Sequence, residues 1–195
     1  MSKPYIIAIA GIPASGKTVY GRHLAEKMNI PFISKDAIKE KLHDVLKFDN
    51  TARENSQLYG AASYSVFYHI TECLMKTKIS FILESNFHPM SVEKLSKLTE
   101  EYGYNAVTVL FDADIQVLHK RFVERDLTEE RHPGLVSIIA VENSLNDFEV
   151  FKTGTAPLRE FCIGKKIVVD TTDFSKVSYE EVDKKVLEAI TNEHV

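Results

Sequence analysis

The run Gly11-Ile12-Pro13-Ala14-Ser15-Gly16-Lys17-Thr18 matches G-x-x-x-x-G-K-[ST] at every fixed position. The spacing has a physical basis. Gly11 and Gly16 allow backbone angles that turn successive amide N–H groups around an anion, and a following helix adds its positive N-terminal end. Lys17 is then expected to reach the β- and γ-phosphates of ATP, or less readily GTP, and the Thr18 hydroxyl to ligate Mg2+. The alternative is an ordinary Gly-rich turn. The apolar strand before the run and the helix after it, with Leu24 and Met28 on its inner face, favour the phosphate loop.

Phosphate binding alone would serve a switch GTPase, a motor ATPase or a kinase. Neither the Asp-x-x-Gly nor the Asn-Lys-x-Asp pattern of a switch is present, and 195 residues argue against a motor or helicase. Phosphoryl transfer needs charge neutralisation and alignment: a carboxylate near the acceptor hydroxyl, a carboxylate supporting the metal, and arginines over the moving phosphate. Candidates occur in that order. Asp36, in Ile33-Ser34-Lys35-Asp36, can orient or deprotonate an acceptor hydroxyl. It can equally cap the helix of Ile38, Leu42 and Val45, and residue type alone favours the cap.

Glu84 ends the run Phe81-Ile82-Leu83, where a carboxylate can hold Mg2+ or substrate, or simply terminate a buried strand. Arg121 and Arg125 share a face of the helix of Leu118 and Phe122, and Arg131 follows. They can close over phosphates as a lid. Otherwise they form a solvated face paired with Glu124, Asp126, Glu129 and Glu130. Asp112 ends a strand and Asp114 reads as a helix cap; both stay outside the catalytic set. Asp170-Thr171-Thr172, after the last strand, is the expected place for a loop touching the nucleotide base, although a plain turn has the same composition.

The elements that must position these residues follow from hydrophobic periodicity. Tyr5 to Ala10, Pro31 to Ser34, Ile79 to Glu84, Ala106 to Phe111 and Lys166 to Asp170 read as strands. Amphipathic helices alternate with them, the last opening with Ser178 and Glu181 at capping-box spacing. Mostly apolar strands alternating with helices imply a parallel sheet covered on both faces, a three-layer α/β/α sandwich. Thr51 to Lys78 is expected to form an inserted helix or helix pair beside the site. No composition shift divides the chain, so a single domain over residues 1–195 is expected, with a lid at about 118–140.

The balance of 24 basic against 28 acidic residues, a net charge of -4, disfavours long nucleic acid as partner. Cys73 and Cys162 suggest neither disulfide nor zinc site. No apolar run approaches the ~20 residues of a membrane helix, and the N-terminus lacks a signal-peptide pattern, so a soluble cytoplasmic protein is expected.

Together these motifs resemble the small P-loop kinases of the AAA-type group that includes phage polynucleotide kinase, zeta toxin and the chloramphenicol phosphotransferases, and more distantly shikimate and gluconate kinases. The resemblance rests on Gly11 to Thr18, Ile33 to Asp36, Phe81 to Asn86, Leu118 to Arg125 and Val168 to Thr171. It implies a five-stranded parallel sheet of order 2-3-1-4-5 with a mobile helical lid. It also implies that Asp36 is the general base and that Arg121 and Arg125 bind phosphates. Two departures stand out. Shikimate-type kinases carry Asp-x-Asp where this chain has Ser34-x-Asp36, and many relatives carry Asp followed by Ala or Thr where Glu84-Ser85-Asn86 stands here.

The expected activity is ATP-dependent transfer of the γ-phosphate to a hydroxyl of a sugar, nucleoside or antibiotic-like molecule. The expected catalytic set is Lys17, Asp36, Arg121 and Arg125, with Gly11 to Thr18, Arg121, Asp170 and Thr171 on the nucleotide. Asp36, Arg53, Glu84 and Asn86 are expected on the acceptor, and Thr18 and Glu84 on Mg2+. The aromatic stretch Arg53 to His69, with Asn86, Phe87 and His88, either lines the acceptor pocket or belongs to the core. Two alternatives remain: a polynucleotide 5'-hydroxyl kinase using Lys35, Lys39, Lys41, Lys47 and Arg53 as a basic track, and a nucleotide-gated regulatory ATPase.

Overall fold

The computed structural model describes residues 3–49, 53–129, 131–135 and 146–191. Five strands, β1 (Tyr5–Gly11), β2 (Phe32–Ser34), β3 (Phe81–Glu84), β4 (Asn105–Asp112) and β5 (Lys165–Asp170), form one sheet in the order β2-β3-β1-β4-β5. All neighbours are parallel. The register places Ser34 opposite Glu84, Ile9 opposite Glu84, and Gly11 opposite Phe111. The carboxyl ends of β1, β2, β3 and β4 therefore finish side by side, which is where open α/β sheets bind ligands.

Successive side chains of a strand point to opposite faces, so a sheet buried on both sides needs two apolar layers. On one face Ile6, Ala8, Ala10 and Leu83 meet Phe67, Met75 and Leu95. On the other, Ile7, Ile9, Val107, Val109 and Phe111 meet Tyr20, Leu24, Val182 and Val186. β5 is an edge strand with Val168 exposed, which explains its mixed polar pattern.

The helices are α1 (Lys17–Met28), α2 (Lys35–Leu46), α3 (Arg53–Lys76), α4 (Met90–Glu101), α5 (Ile115–Asp126), α6 (Phe148–Thr155) and α7 (Tyr179–Thr191). The stretch that allowed a helix or a helix pair is one helix, α3. Phe67 is fully buried from it, while Tyr64 and Tyr68 pack on the same core, so its aromatic stripe is mainly core. At α7, Ser178 Oγ accepts from Glu181 N at 3.3 Å, the cap its spacing predicts. Among the described residues, no helix is long and apolar enough to cross a membrane.

Candidate active site

The phosphate loop joins β1 to α1 through three residues in left-handed or related conformations: Gly11 (φ 146°), Ala14 (φ 65°) and Gly16 (φ 88°). A Cβ on Gly11 would lie 2.2 Å from the Phe111 carbonyl oxygen, so this strand end tolerates no side chain. Gly16 occupies the N-cap of α1 without a capping side chain, which puts no side-chain acceptor between the helix N-terminus and an anion. Ile12 and Pro13 are buried in the loop, and Ser15 Oγ is buried without a partner, a polar atom unmatched by the protein itself. These features fit a phosphate cradle.

Lys17 is 6% exposed and donates to the Ile12 carbonyl at 3.4 Å. Its Nζ is 4.0 Å from Glu84 Oε1. Burial lowers its pKa, Glu84 and Asp36 oppose that, and Arg125 and Lys35 add to it; the net direction is down. Glu84, 1% exposed, accepts from Ser34 Oγ at 2.6 Å. Burial raises its pKa against the pull of Lys17, and the Thr18 hydroxyl hydrogen-bonds to the same carboxylate. A buried carboxylate next to a threonine hydroxyl beside a phosphate cradle is a hard-oxygen donor set that suits Mg2+.

The helix cap weighed for Asp36 belongs to Ser34, whose Oγ accepts from Ala37 N at 3.4 Å. The register explains the choice: Ser34 sits opposite Glu84, so one hydroxyl caps α2 and donates to the buried carboxylate. Asp36 is thereby released to the first turn of α2, where it lines the cleft. Its Oδ1 accepts from Lys35 Nζ at 2.6 Å. Burial would raise its pKa, but Lys35, then Lys17 and Arg131, outweigh this and hold it below the ordinary carboxylate value.

Arg121 donates to the carbonyls of Thr171 at 2.7 Å and Thr172 at 3.0 Å, and its guanidinium stacks 4.0 Å from the Phe174 ring. Arg125 Nε is buried without a partner, and its pKa is lowered by burial. Asp126, whose side chain is fully buried, lies 3.7 Å from Arg125 and accepts from Arg131 Nε at 3.1 Å. The solvated-face reading therefore fails at Asp126, which anchors two arginines from the protein interior. Arg121, Arg125 and Arg131 line one cleft of about 500 Å³ with Lys17, Thr18, Asp36 and Asn86. Asn86 Oδ1 is buried there without a partner.

Several expectations need correction. Asp170 accepts from Thr172 N at 2.8 Å in a local turn, and Thr171 Oγ1 donates to the Asp112 carbonyl at 3.1 Å. Neither side chain lines the cleft, which Phe174 of the same segment does. Phe87 is fully buried and stacks on Phe161 at 4.4 Å, so it is core. Of the aromatic stretch in α3, Tyr64 reaches the site, hydrogen-bonded to Ser85 Oγ at 2.8 Å and donating to the Asn86 carbonyl at 3.1 Å. The side chain of Arg53 and residues 130 and 136–140 of the expected lid lie outside the described residues. Asp114 caps α5 as expected, and Arg159 forks onto Asp112 at 2.8 and 2.9 Å.

Arg22, Glu40, Leu135 and Phe174 also line the cleft, and sequence reasoning did not single them out. Glu40 had a signal: it lies four residues after Asp36 on the same helix face. Outside the cleft, the ligand atoms of His43, Asp44 and His132 lie within 4.8 Å of one another. His132 and Asp44 are already engaged: Gly134 N donates to His132 Nδ1 at 3.1 Å, leaving the ring proton on Nε2, which is 3.0 Å from Asp44, while His43 Nδ1 is buried without a partner. A metal on His132 Nε2 would have to break both contacts, which already join α2 to the Arg131 segment.

A model of the AAA domain family matches residues 6–150. No curated protein sequence matches the chain. A crystal structure from Chloroflexus aurantiacus j-10-fl, described provisionally as a kinase, superposes with TM-score 0.82 at 28% identity, over 96% of this chain and 99% of that one. A sugar kinase from Janibacter sp. HTCC2649 gives TM-score 0.58 at 16% identity, covering 96% and 94%. Shikimate kinase from Acinetobacter baumannii in complex with shikimate gives 0.53 at 14%, covering 97% and 94%. The chain belongs to the AAA domain family and has the fold of the small P-loop kinases.

Proposed function

We propose that the protein transfers the γ-phosphate of ATP to a hydroxyl of a small hydroxylated molecule such as a sugar, nucleoside or antibiotic-like compound. One observation carries this reading. The phosphate loop, an ionised carboxylate and three arginines open into the same cleft, Asp36 on one wall and Arg121, Arg125 and Arg131 on another. A protein that only bound nucleotide would not need a carboxylate held ionised opposite that loop.

In this reading the acceptor oxygen attacks the γ-phosphorus, the bond to the β–γ bridging oxygen breaks, and the acceptor proton passes to Asp36. Lys17 and Arg125 face the charge on the transferred group from two sides. Asn86 offers its unpartnered amide oxygen to an acceptor hydroxyl. Thr18 and Glu84 would hold Mg2+, which when bound supplies further charge neutralisation. The 28% identity to the Chloroflexus protein supports a kinase, while the more distant sugar and shikimate kinases support the fold alone.

The test is ATP-dependent labelling of a panel of sugars, nucleosides, aminoglycosides and 5'-hydroxyl oligonucleotides. With the acceptor so found, Asp36→Asn should keep ATP binding and lose transfer by about 10² or more. Lys17→Ala should lose productive ATP binding as well. Wild-type transfer by Asp36→Asn would remove Asp36 from the base role. ATP hydrolysis without labelling of any acceptor would favour a regulatory ATPase.

A further inference from the structure

We infer that Lys35 is the positioning residue of this site: its ammonium grips one oxygen of Asp36 and turns the other toward the acceptor. The inference rests on the reading of Asp36 as base. Adjacent residues of a helix diverge around its axis and do not ordinarily meet. Here Lys35 Nζ and Asp36 Oδ1 are 2.6 Å apart in the first turn of α2. The contact is not a loose surface pair, because the Lys35 side chain is only 15% exposed.

The walls of the site hold that lysine. Its ammonium lies 5.4 Å from the centroid of the Tyr64 ring. Tyr64 is itself fixed by Ser85 Oγ at 2.8 Å and the Asn86 carbonyl at 3.1 Å. A chain of contacts thus runs from the loop after β3, through α3, to Lys35 and Asp36. Lys35 is not needed to start the helix, since Ser34 supplies the cap. Its enclosure serves the carboxylate.

Asp36 also feels Lys17 of α1, Lys39 of α2, Tyr64 of α3, Glu84 of β3, Arg125 of α5 and Arg131 beyond it. Glu40 and Arg22 line the same cleft. Cations other than Lys35 therefore remain when Lys35 is removed. The carboxylate should stay ionised at neutral pH but titrate higher and lose its fixed orientation.

The experiment is a carbon-13 titration of the Asp36 carboxyl in the full nucleotide-free chain, for wild type, Lys35→Met, Lys35→Gln, Lys35→Arg and Lys41→Met. Loss of the ammonium should raise the midpoint by about one pH unit or more in the Met and Gln variants. Arg should restore it to near wild type. Lys41, exposed and paired with Asp44 on the same helix, is the control and should leave it unmoved. A midpoint unchanged in whichever of the Met and Gln variants folds would overturn the inference. The readout needs no acceptor and no transfer, so its failure is distinct from failure of the base assignment.

Discussion

Asp126 is a point at which a single atom change should cost both stability and site geometry. Its side chain is fully buried, and its stronger contact is to Arg131 Nε at 3.1 Å, with Arg125 further off at 3.7 Å. Asp126→Asn keeps the shape and removes the charge. Removing one partner of a buried ion pair costs about 3 to 5 kcal/mol, and a hydrogen bond to a charged group contributes about 1.5 to 3 kcal/mol. Arg125 is 36% exposed and both arginines border an open cleft, so they can turn toward water; the lower part of that range applies. We expect a loss of about 2 to 3 kcal/mol, near a 1 M fall in urea midpoint for a slope of about 2 to 3 kcal/mol/M. The chain has eight tyrosines and no tryptophan, so far-UV circular dichroism is the suitable probe. ATP affinity by calorimetry should weaken in parallel, because Arg125 and Arg131 lose their shared anchor. An Asp126→Asn protein with wild-type midpoint and wild-type ATP affinity would refute the reasoning.

Lys39 is buried, and burial, strengthened by Lys35, opposed by Asp36 and strengthened again by Arg131, lowers its pKa from 10.5 to about 8. Between those values the unfolded chain binds the extra proton, so wild-type stability should gain up to about 3 kcal/mol as pH rises across the window. Lys39→Met lacks that gain, and urea midpoints at pH 7.5 and 9.5 should show it; equal pH slopes in the two proteins would contradict the assignment. Gly11→Ala places a Cβ 2.2 Å from a backbone oxygen of β4, whereas Gly103→Ala meets no neighbour and only the strain of φ 66°. The first should abolish nucleotide binding or folding and the second cost about 1 kcal/mol, read from melting and nucleotide titration; equal effects would mean that the strand end yields.

The donor half of the site was legible because it is contiguous: one strand, eight loop residues and one helix carry the pattern, and no long-range contact is needed to read it. The sheet was legible for a related reason, since strands buried on both faces announce themselves as apolar runs. Ser34 and Asp36 were harder. Both residue types cap helices, and only the pairing of β2 with β3, which puts Ser34 opposite Glu84, decides between them. Asp126 carried a signal that the density of surrounding charge obscured. It continues the Leu118 and Phe122 spacing by one more helical step, and all three are buried. Phe174 gave none, because a single aromatic after a turn reaches Gly16 and Arg121 only through the path of the chain beyond β5.

Two carboxylates, one ending β3 and the other just beyond its neighbour β2, are pushed in opposite directions, and that contrast supports the reading of the site as more than a nucleotide cradle. Glu84 is shut under Lys17 and Ser34, and burial raises its pKa despite the ammonium 4.0 Å away. Asp36 stands at the cleft with Lys35, Lys17 and Arg131 keeping it charged. Environments that separate two like groups in this way divide labour between them. The buried one suits a metal ion that compensates its charge, and the half-buried one at the cleft suits a proton arriving from substrate. Exchanging the two roles would require Glu84, 1% exposed and in contact with Lys17 and Thr18, to reach an acceptor in a cleft that it does not line. Access as well as charge therefore supports the proposed assignment of base to Asp36.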